Sequence, residues 1–173
     1  MTRNCSAVSR SEFELPLQWR EHGLKLGFMH PDLQSSLICE DVRFEHNGKL
    51  MLIGLFDVLP LQKVPARLGR LCLVTRWCSG EGEFTQEAKL FKPDQSTLLV
   101  TGKKMAVKLQ NPQSAATIVQ VFGNVALEEF GTYWVEVYLD DDLKIRYPLL
   151  VTPAPKQPPP KQPPGTNPRP PVA

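Results

Sequence analysis

The residues that could carry chemistry in this chain are few, and their spacing decides against most of it. Glu40 and Asp41 are adjacent in a run of strand-forming residues, so they point to opposite faces and cannot act together on one substrate. Asp140, Asp141 and Asp142 form an acidic tip, but a calcium site needs oxygens from more than one loop, and three consecutive side chains cannot all converge. Glu128 and Glu129 lie about eleven residues away, roughly 30 Å of extended chain. The histidines, His22, His30 and His46, have no Cys, His or acidic partner at zinc-site spacing. Serine nucleophile elbows, phosphate-binding glycine loops and H-E-x-x-H are absent. No catalytic, cofactor-binding or metal-binding residue is therefore assigned. The expectation is a non-enzymatic protein that works, if it has a protein partner, as a binding or assembly module; an enzyme or metal-binding domain built on the acidic loops is the alternative.

The four cysteines, Cys5, Cys39, Cys72 and Cys78, contain no C-x-x-C pair. Cys72 and Cys78 lie on one apparent strand, roughly 20 Å apart at about 3.3 Å per residue, and cannot bond to each other. A bond from Cys39 to either is geometrically open, but buried free thiols are the expectation. The formal charge of +2 comes from the ends: residues 31 to 152 hold 13 Lys and Arg against 15 Asp and Glu, a net of −2. Such a balance gives no footprint for nucleic acid, and Lys103, Lys104 and Lys108 read as a solvated strand face. No window approaches the roughly 18 to 20 apolar residues of a membrane span, and no signal pattern opens the chain, which points to a cytoplasmic protein without a membrane role.

The stretch around which the chain is organised is Leu37 to Leu59, two apolar runs joined by Asn47-Gly48, the strongest short hairpin signal. With those two as the whole loop, Phe44 faces Met51, Val42 faces Ile53 and Glu40 faces Leu55. The second strand, apolar on both faces, is expected to be central and the half-polar first strand more exposed. Glu40 then falls on the apolar face, a costly place unless the strand end is solvated, a bulge at Gly54 turns it outward, or Arg43, Arg70 or Arg76 pairs with it.

Further strands are predicted at Arg70 to Cys78 and Gly82 to Phe91, read as a second hairpin, then at Thr97 to Thr101 and through Met105, Val107 and Leu109. Others follow at Ala116 to Leu127, Thr132 to Leu139 and Leu143 to Val151. Pro60 to Pro65 is expected to leave the sheet, and Pro148 marks an edge or a strand end. Seven to nine short strands and no convincing helix indicate an all-β antiparallel sandwich, immunoglobulin-like or C2-like.

Residues 1 to 28 show no sustained period beyond a helical hint from Trp19 through Leu24 to Phe28. Met29, just ahead of Pro31-Asp32, reads as a translation start, with the preceding residues an extension. The β domain is expected over 29 to 152. From Pro153 onward ten of 21 residues are proline, a tail that cannot bury apolar area. Its bland reading is solubilising; P-x-x-P spacings beside Lys156 and Lys161 could also dock an aromatic groove.

Two resemblances follow. Glu129-Phe130-Gly131-Thr132-Tyr133-Trp134-Val135 resembles the acid-x-Gly-x-Tyr-x-Cys run of immunoglobulin-like domains, with Val135 in the cysteine position; it implies a tyrosine corner at Tyr133 without the inter-sheet disulfide. Cys39-Glu40-Asp41-Val42-Arg43, Asn47-Gly48-Lys49, Leu52-Ile53-Gly54, Arg70 to Trp77, Gly131-x-Tyr133 and Pro148-Leu149-Leu150-Val151 together resemble a bacterial family of small proteins known only as a domain of unknown function. That resemblance implies an all-β domain starting near Met29 and no activity.

Overall fold

The alternation of apolar and polar residues is long enough in most segments to bury one face of a strand, and ten strands result. The computed structural model describes residues 29–155. In chain order the strands are β1 (Asp32–Phe44), β2 (Leu50–Leu55), β3 (Val58–Leu61), β4 (Ala66–Cys78) and β5 (Gly82–Phe91), then β6 (Leu98–Thr101), β7 (Met105–Leu109), β8 (Ala115–Leu127), β9 (Gly131–Leu139) and β10 (Asp142–Pro153). One sheet runs β2-β1-β4-β8. The other runs β3-β10-β9-β5-β6, with β7 continuing the β6 lane against the first half of β5. No helix among the described residues is long and apolar enough to cross a membrane.

The sheets face each other across one apolar core, to which the first contributes Leu71, Leu73 and Trp77 and the second Ala88, Val135 and Val137. The alternation expected in β9 is present: Tyr133, Val135 and Val137 are buried, while Trp134 and Tyr138 lie on the other face. Inside the core a buried glutamine joins the sheets. Gln86 of β5 is fully buried, and its carbonyl oxygen accepts the Trp77 indole N–H at 2.6 Å and the Thr75 hydroxyl at 2.5 Å, both from β4. At the β8–β9 corner the Tyr133 hydroxyl donates to the Glu129 carbonyl at 3.0 Å, the bond that the tyrosine-corner resemblance implies.

Five expectations need correction. First, the β1–β2 register is displaced by one: Phe44 faces Leu50, Val42 faces Leu52 and Cys39 faces Leu55. The loop is three residues, not two. Gly48 alone takes positive φ, at 80°, the Gly48 amide bonds the Glu45 carbonyl, and the Asn47 side-chain oxygen accepts the Lys49 amide. That is a turn followed by a left-handed glycine, which adds one residue to the loop. The two-residue turn occurs elsewhere, at Asp140 and Asp141, with φ of 50° and 68° between paired Leu139 and Asp142. Second, β2 is an edge strand and β1 is the inner one.

Third, β4 and β5 are not a hairpin but belong to opposite sheets. The chain crosses at Ser79 (φ 60) and Gly80, where a Cβ would stand 2.7 Å from Pro31. Fourth, Pro60 does not leave the sheet: β3 pairs parallel with Leu150–Pro153 of β10, so the sandwich is not wholly antiparallel. β3 is an edge, where a proline with no N–H to donate is tolerated. Fifth, the strand holding Pro148 is neither an edge over its whole length nor ended there: β10 runs on to Pro153 between β3 and β9, and Pro148 is tolerated because β3 covers β10 only from Leu150 onward.

The Met29 carbonyl is anchored by the Glu81 amide at one end of the sandwich, and the Ala154 amide by the Leu61 carbonyl at the other. The readings of residues 1 to 28, and of the proline-rich tail beyond Pro155, fall outside the described residues.

Gln86→Leu keeps the volume and strands two buried donors while removing a side-chain NH2 that has no partner, so it is expected to cost about 1–3 kcal/mol. Tyr133→Phe, which loses the hydroxyl's two contacts with the Glu129 backbone, is expected to cost about 1 kcal/mol. Urea melts of both variants check the order. A Gln86→Leu protein as stable as its parent would show that the shared contact contributes nothing.

Candidate functional site

The alternation that buries Val135 and Val137 also places Trp134, Glu136 and Tyr138 on the outer face of β9. Register then decides their neighbours. Glu136 lies opposite Lys89 of β5 on one side and Arg146 of β10 on the other, and Trp134 lies between Phe91 and Pro148. A carboxylate flanked by cations on both neighbouring strands can be held close to the sheet, and Glu136 is only 7 % exposed.

Its carboxylate is satisfied from two directions. The Tyr138 hydroxyl donates to one oxygen, and the Arg146 Nε lies 3.4 Å from the other. The Arg146 guanidinium stacks 4.7 Å from the Trp134 ring centroid and donates to the Gln95 side chain at 3.3 Å. Lys89 reaches past Glu136: its Nζ sits 4.5 Å from the Tyr138 ring centroid and 3.1 Å from Glu87. Such cation–ring contacts are worth roughly 0.5–1 kcal/mol each at exposed sites, so their main effect is to hold the long side chains in one arrangement. The result is an ordered aromatic and charged surface across three strands. The hydrogen bond to the Glu136 carboxylate, with burial, pushes the Tyr138 pKa up to about 12.

The acids weighed from the sequence are dispersed. Glu40 is exposed and lies over Gly54, whose φ is +64, so it is not a buried charge. The arginines considered for it are engaged elsewhere: Arg43 and Arg70 reach Asp41 at 3.3 and 3.0 Å, and Arg76 bonds Gln34 and Thr117. Desolvation pushes the Asp41 carboxyl up, but the hydrogen bond from Arg43, the Val42 amide and the Arg70 charge outweigh it and hold the pKa below the usual carboxylate value.

Asp140 accepts the Thr85 amide, Asp141 pairs with Lys104, and Asp142 faces Lys144 at 3.9 Å, so the three diverge. Glu128 pairs with Lys92 at the opposite end of the sandwich. No group of three or more His, Cys, Asp or Glu side chains gathers among the described residues. His30 lies against Phe84, His46 is exposed in the first turn, and His22 is outside the described residues.

Cys39 and Cys72 stand directly opposite each other on β1 and β4, both buried and free, and Cys78 is free as well; Cys5 is outside the described residues. Burial, followed by the neighbouring Cys72, pushes the Cys39 thiol up, away from the thiolate that reactive cysteines need. A cleft of about 360 Å³ opens between β1 and β10, lined by Ser36, Ile38, Leu55, Phe56 and Tyr147. The Ser36 and Tyr147 hydroxyls meet across it at 3.0 Å. Burial pushes the Tyr147 pKa up to about 12, so its hydroxyl is a neutral group and not a general base at ordinary pH.

The Glu136 network escaped the sequence reading because it is assembled from three strands. The available signal was the outward set Trp134, Glu136, Tyr138, two aromatics and an acid on one face of a central strand.

Tyr138 and Tyr147 are both held protonated by the fold. Tyrosines ionise near pH 10 when unfolded and these two only near 12, so the stability they contribute is present below pH 10 and is lost as the pH rises through 12. In a spectrophotometric titration, Glu136→Gln is expected to bring the Tyr138 transition down toward 10 and leave that of Tyr147 in place. An unchanged titration would mean that the carboxylate does not control Tyr138.

No curated protein matches the chain. Residues 34–152 match a family model whose description is "Family of unknown function (DUF6941)", and the match covers most of the sequence and nearly all of both sheets. The chain belongs to this family of unknown function, DUF6941.

Proposed function

We propose that the chain is a non-enzymatic binding module of immunoglobulin-like kind, working in the cytoplasm, whose recognition surface is the outer face of β5, β9 and β10. The observation that carries this reading is Glu136, a nearly buried carboxylate on the outside of a sheet, held by Tyr138 and Arg146. Tyrosine, tryptophan and arginine are the residue types enriched at the energetic centres of protein interfaces, and here they are ordered before any partner arrives. Preordering lowers the entropy a partner must overcome, which suits a stable protein complex.

The tyrosine corner at Tyr133 supports the immunoglobulin-like part of the reading, and the free cysteines suit a reducing compartment.

The test is co-purification from native cells with the intact chain, a Trp134→Ala variant and a chain lacking residues 156 to 173. Loss of the principal co-purifying protein with Trp134→Ala, and its retention without the tail, is the expected result. Retention with Trp134→Ala and loss without the tail would move recognition to the proline-rich segment.

A further inference from the structure

The ladder between β1 and β4 sets two thiols against each other. Cys39 and Cys72 are direct antiparallel partners, in a register fixed beside them by Ile38 opposite Leu73 and Leu37 opposite Val74. Directly opposite residues of such a pair have Cα atoms about 4.5 or 5.5 Å apart, and a disulfide spans about 4.4 to 6.8 Å. The backbone therefore already stands at bonding distance for two sulfurs that are both free. The Cys72 sulfur also leans toward β1, where its S–H donates to the Glu40 carbonyl at 3.7 Å. Cys78 has no such partner, because Asp32 lies opposite it.

The pair is set apart from the main core. Cys39 and Cys72 lie with Val42 and Val74 in a second, smaller cluster, against which Leu50, Leu52 and Val119 pack. Neither thiol is in contact with water, but the cover is thin. Leu55, opposite Cys39, is 59 % exposed and belongs to β2, an edge strand broken by Gly54 at φ +64. Opening such an edge costs less than unfolding the domain, and it bares the pair to a small reagent. Arg70 adds a fixed charge: its contact with Cys72, followed by the Asp41 carboxylate, raises its own pKa, so a cation stands beside the sulfur that must become anionic to attack.

We propose that Cys39 and Cys72 are a reversible dithiol–disulfide site, oxidised by a low-molecular-weight disulfide such as that of glutathione. Cys72 gives its proton to water, and its thiolate attacks one sulfur of the reagent, forming a mixed disulfide and expelling one thiolate. Cys39 then gives up its proton and attacks the Cys72 sulfur, forming the Cys39–Cys72 bond and expelling the second thiolate. The two protein thiols lose two electrons and two protons, and the reagent leaves as two thiols. The order follows from the surroundings. Burial, and after it the charge of Cys72, push the Cys39 thiol up, and the second of these vanishes once Cys72 is capped. The bond ties together the two inner strands of the four-stranded sheet. It lies in the sheet opposite the recognition surface proposed above and stands independently of it.

The test uses the full chain with Cys5→Ser and Cys78→Ser, so that only this pair remains, held at neutral pH with glutathione disulfide and then alkylated. The expected product is a monomer that has lost two hydrogens, takes up no alkyl group, maps as a Cys39–Cys72 peptide and returns to the dithiol with dithiothreitol. Its melting temperature should rise by about 5–10 °C, because the cross-link limits the unfolded chain. Further replacement of Cys39 by Ser should trap a stable glutathione adduct on Cys72, and replacement of Cys72 by Ser should leave Cys39 reacting more slowly. Thiols that stay reduced, a retained glutathione on the two-cysteine chain, disulfide-linked dimers or a melting temperature that falls overturns the proposal. Faster reaction at Cys39 than at Cys72 overturns the order of attack. Where the serine variants fail to fold, peptide mapping of the oxidised natural chain gives the same reading, and a map without the Cys39–Cys72 peptide overturns the site.

Discussion

The carbonyl oxygen of Gln86 is the polar point on which the two sheets agree. In a core otherwise made of aliphatic and aromatic side chains, an acceptor that takes donors from Trp77 and Thr75 has few alternative positions, because any shift strands a buried N–H or O–H. Trp77 and Thr75 belong to one sheet and Gln86 to the other, so the contact sets β4 against β5. With Gln86 inward, Glu87 and Lys89 must alternate outward, where β9 presents Glu136 and Tyr138. The interior contact thus determines which side chains the outer surface can use.

Much of this was legible in the sequence, for a local reason. Strands such as β9 and β5 carry an alternation that only one face can bury, and the Gly131-x-Tyr133 corner is read within a few residues of itself. What was not legible depends on distance or on the detail of a turn. Asn47-Gly48 announced a hairpin correctly, but Asn47 used its side chain to cap Lys49 and left the positive φ to Gly48 alone, and one added loop residue shifts every partner. β4 and β5 read as neighbours because they are consecutive; the packing of Gly80 on Pro31, 49 positions earlier, sends the chain to the other sheet. β3 was hidden by Pro60, whose meaning reverses once the strand is known to be an edge.

The candidate surface illustrates the same divide. Adjacent acids such as Glu40-Asp41 and Asp140 to Asp142 catch attention in a sequence, yet in the fold Glu40 is exposed and the others each meet a separate partner. Glu136 is unremarked in the sequence, being one acid among aromatics, and acquires its character from Arg146 ten positions later and from Lys89 forty-seven positions earlier. Burial of a charge is a property of register, and register between distant strands is what a single sequence reveals least.

The two anchors at the ends of the domain, Met29 to Glu81 and Ala154 to Leu61, have a mechanical meaning. The chain enters through β1 in one sheet and leaves through β10 in the other, at opposite ends of strands about 40 Å long. Tension applied between the two ends would not peel a strand from an edge. It would load the sheets in shear against each other, so that the interlocked core and the Ser36–Tyr147 contact resist together, and the domain would act as a stiff link between whatever is attached on either side.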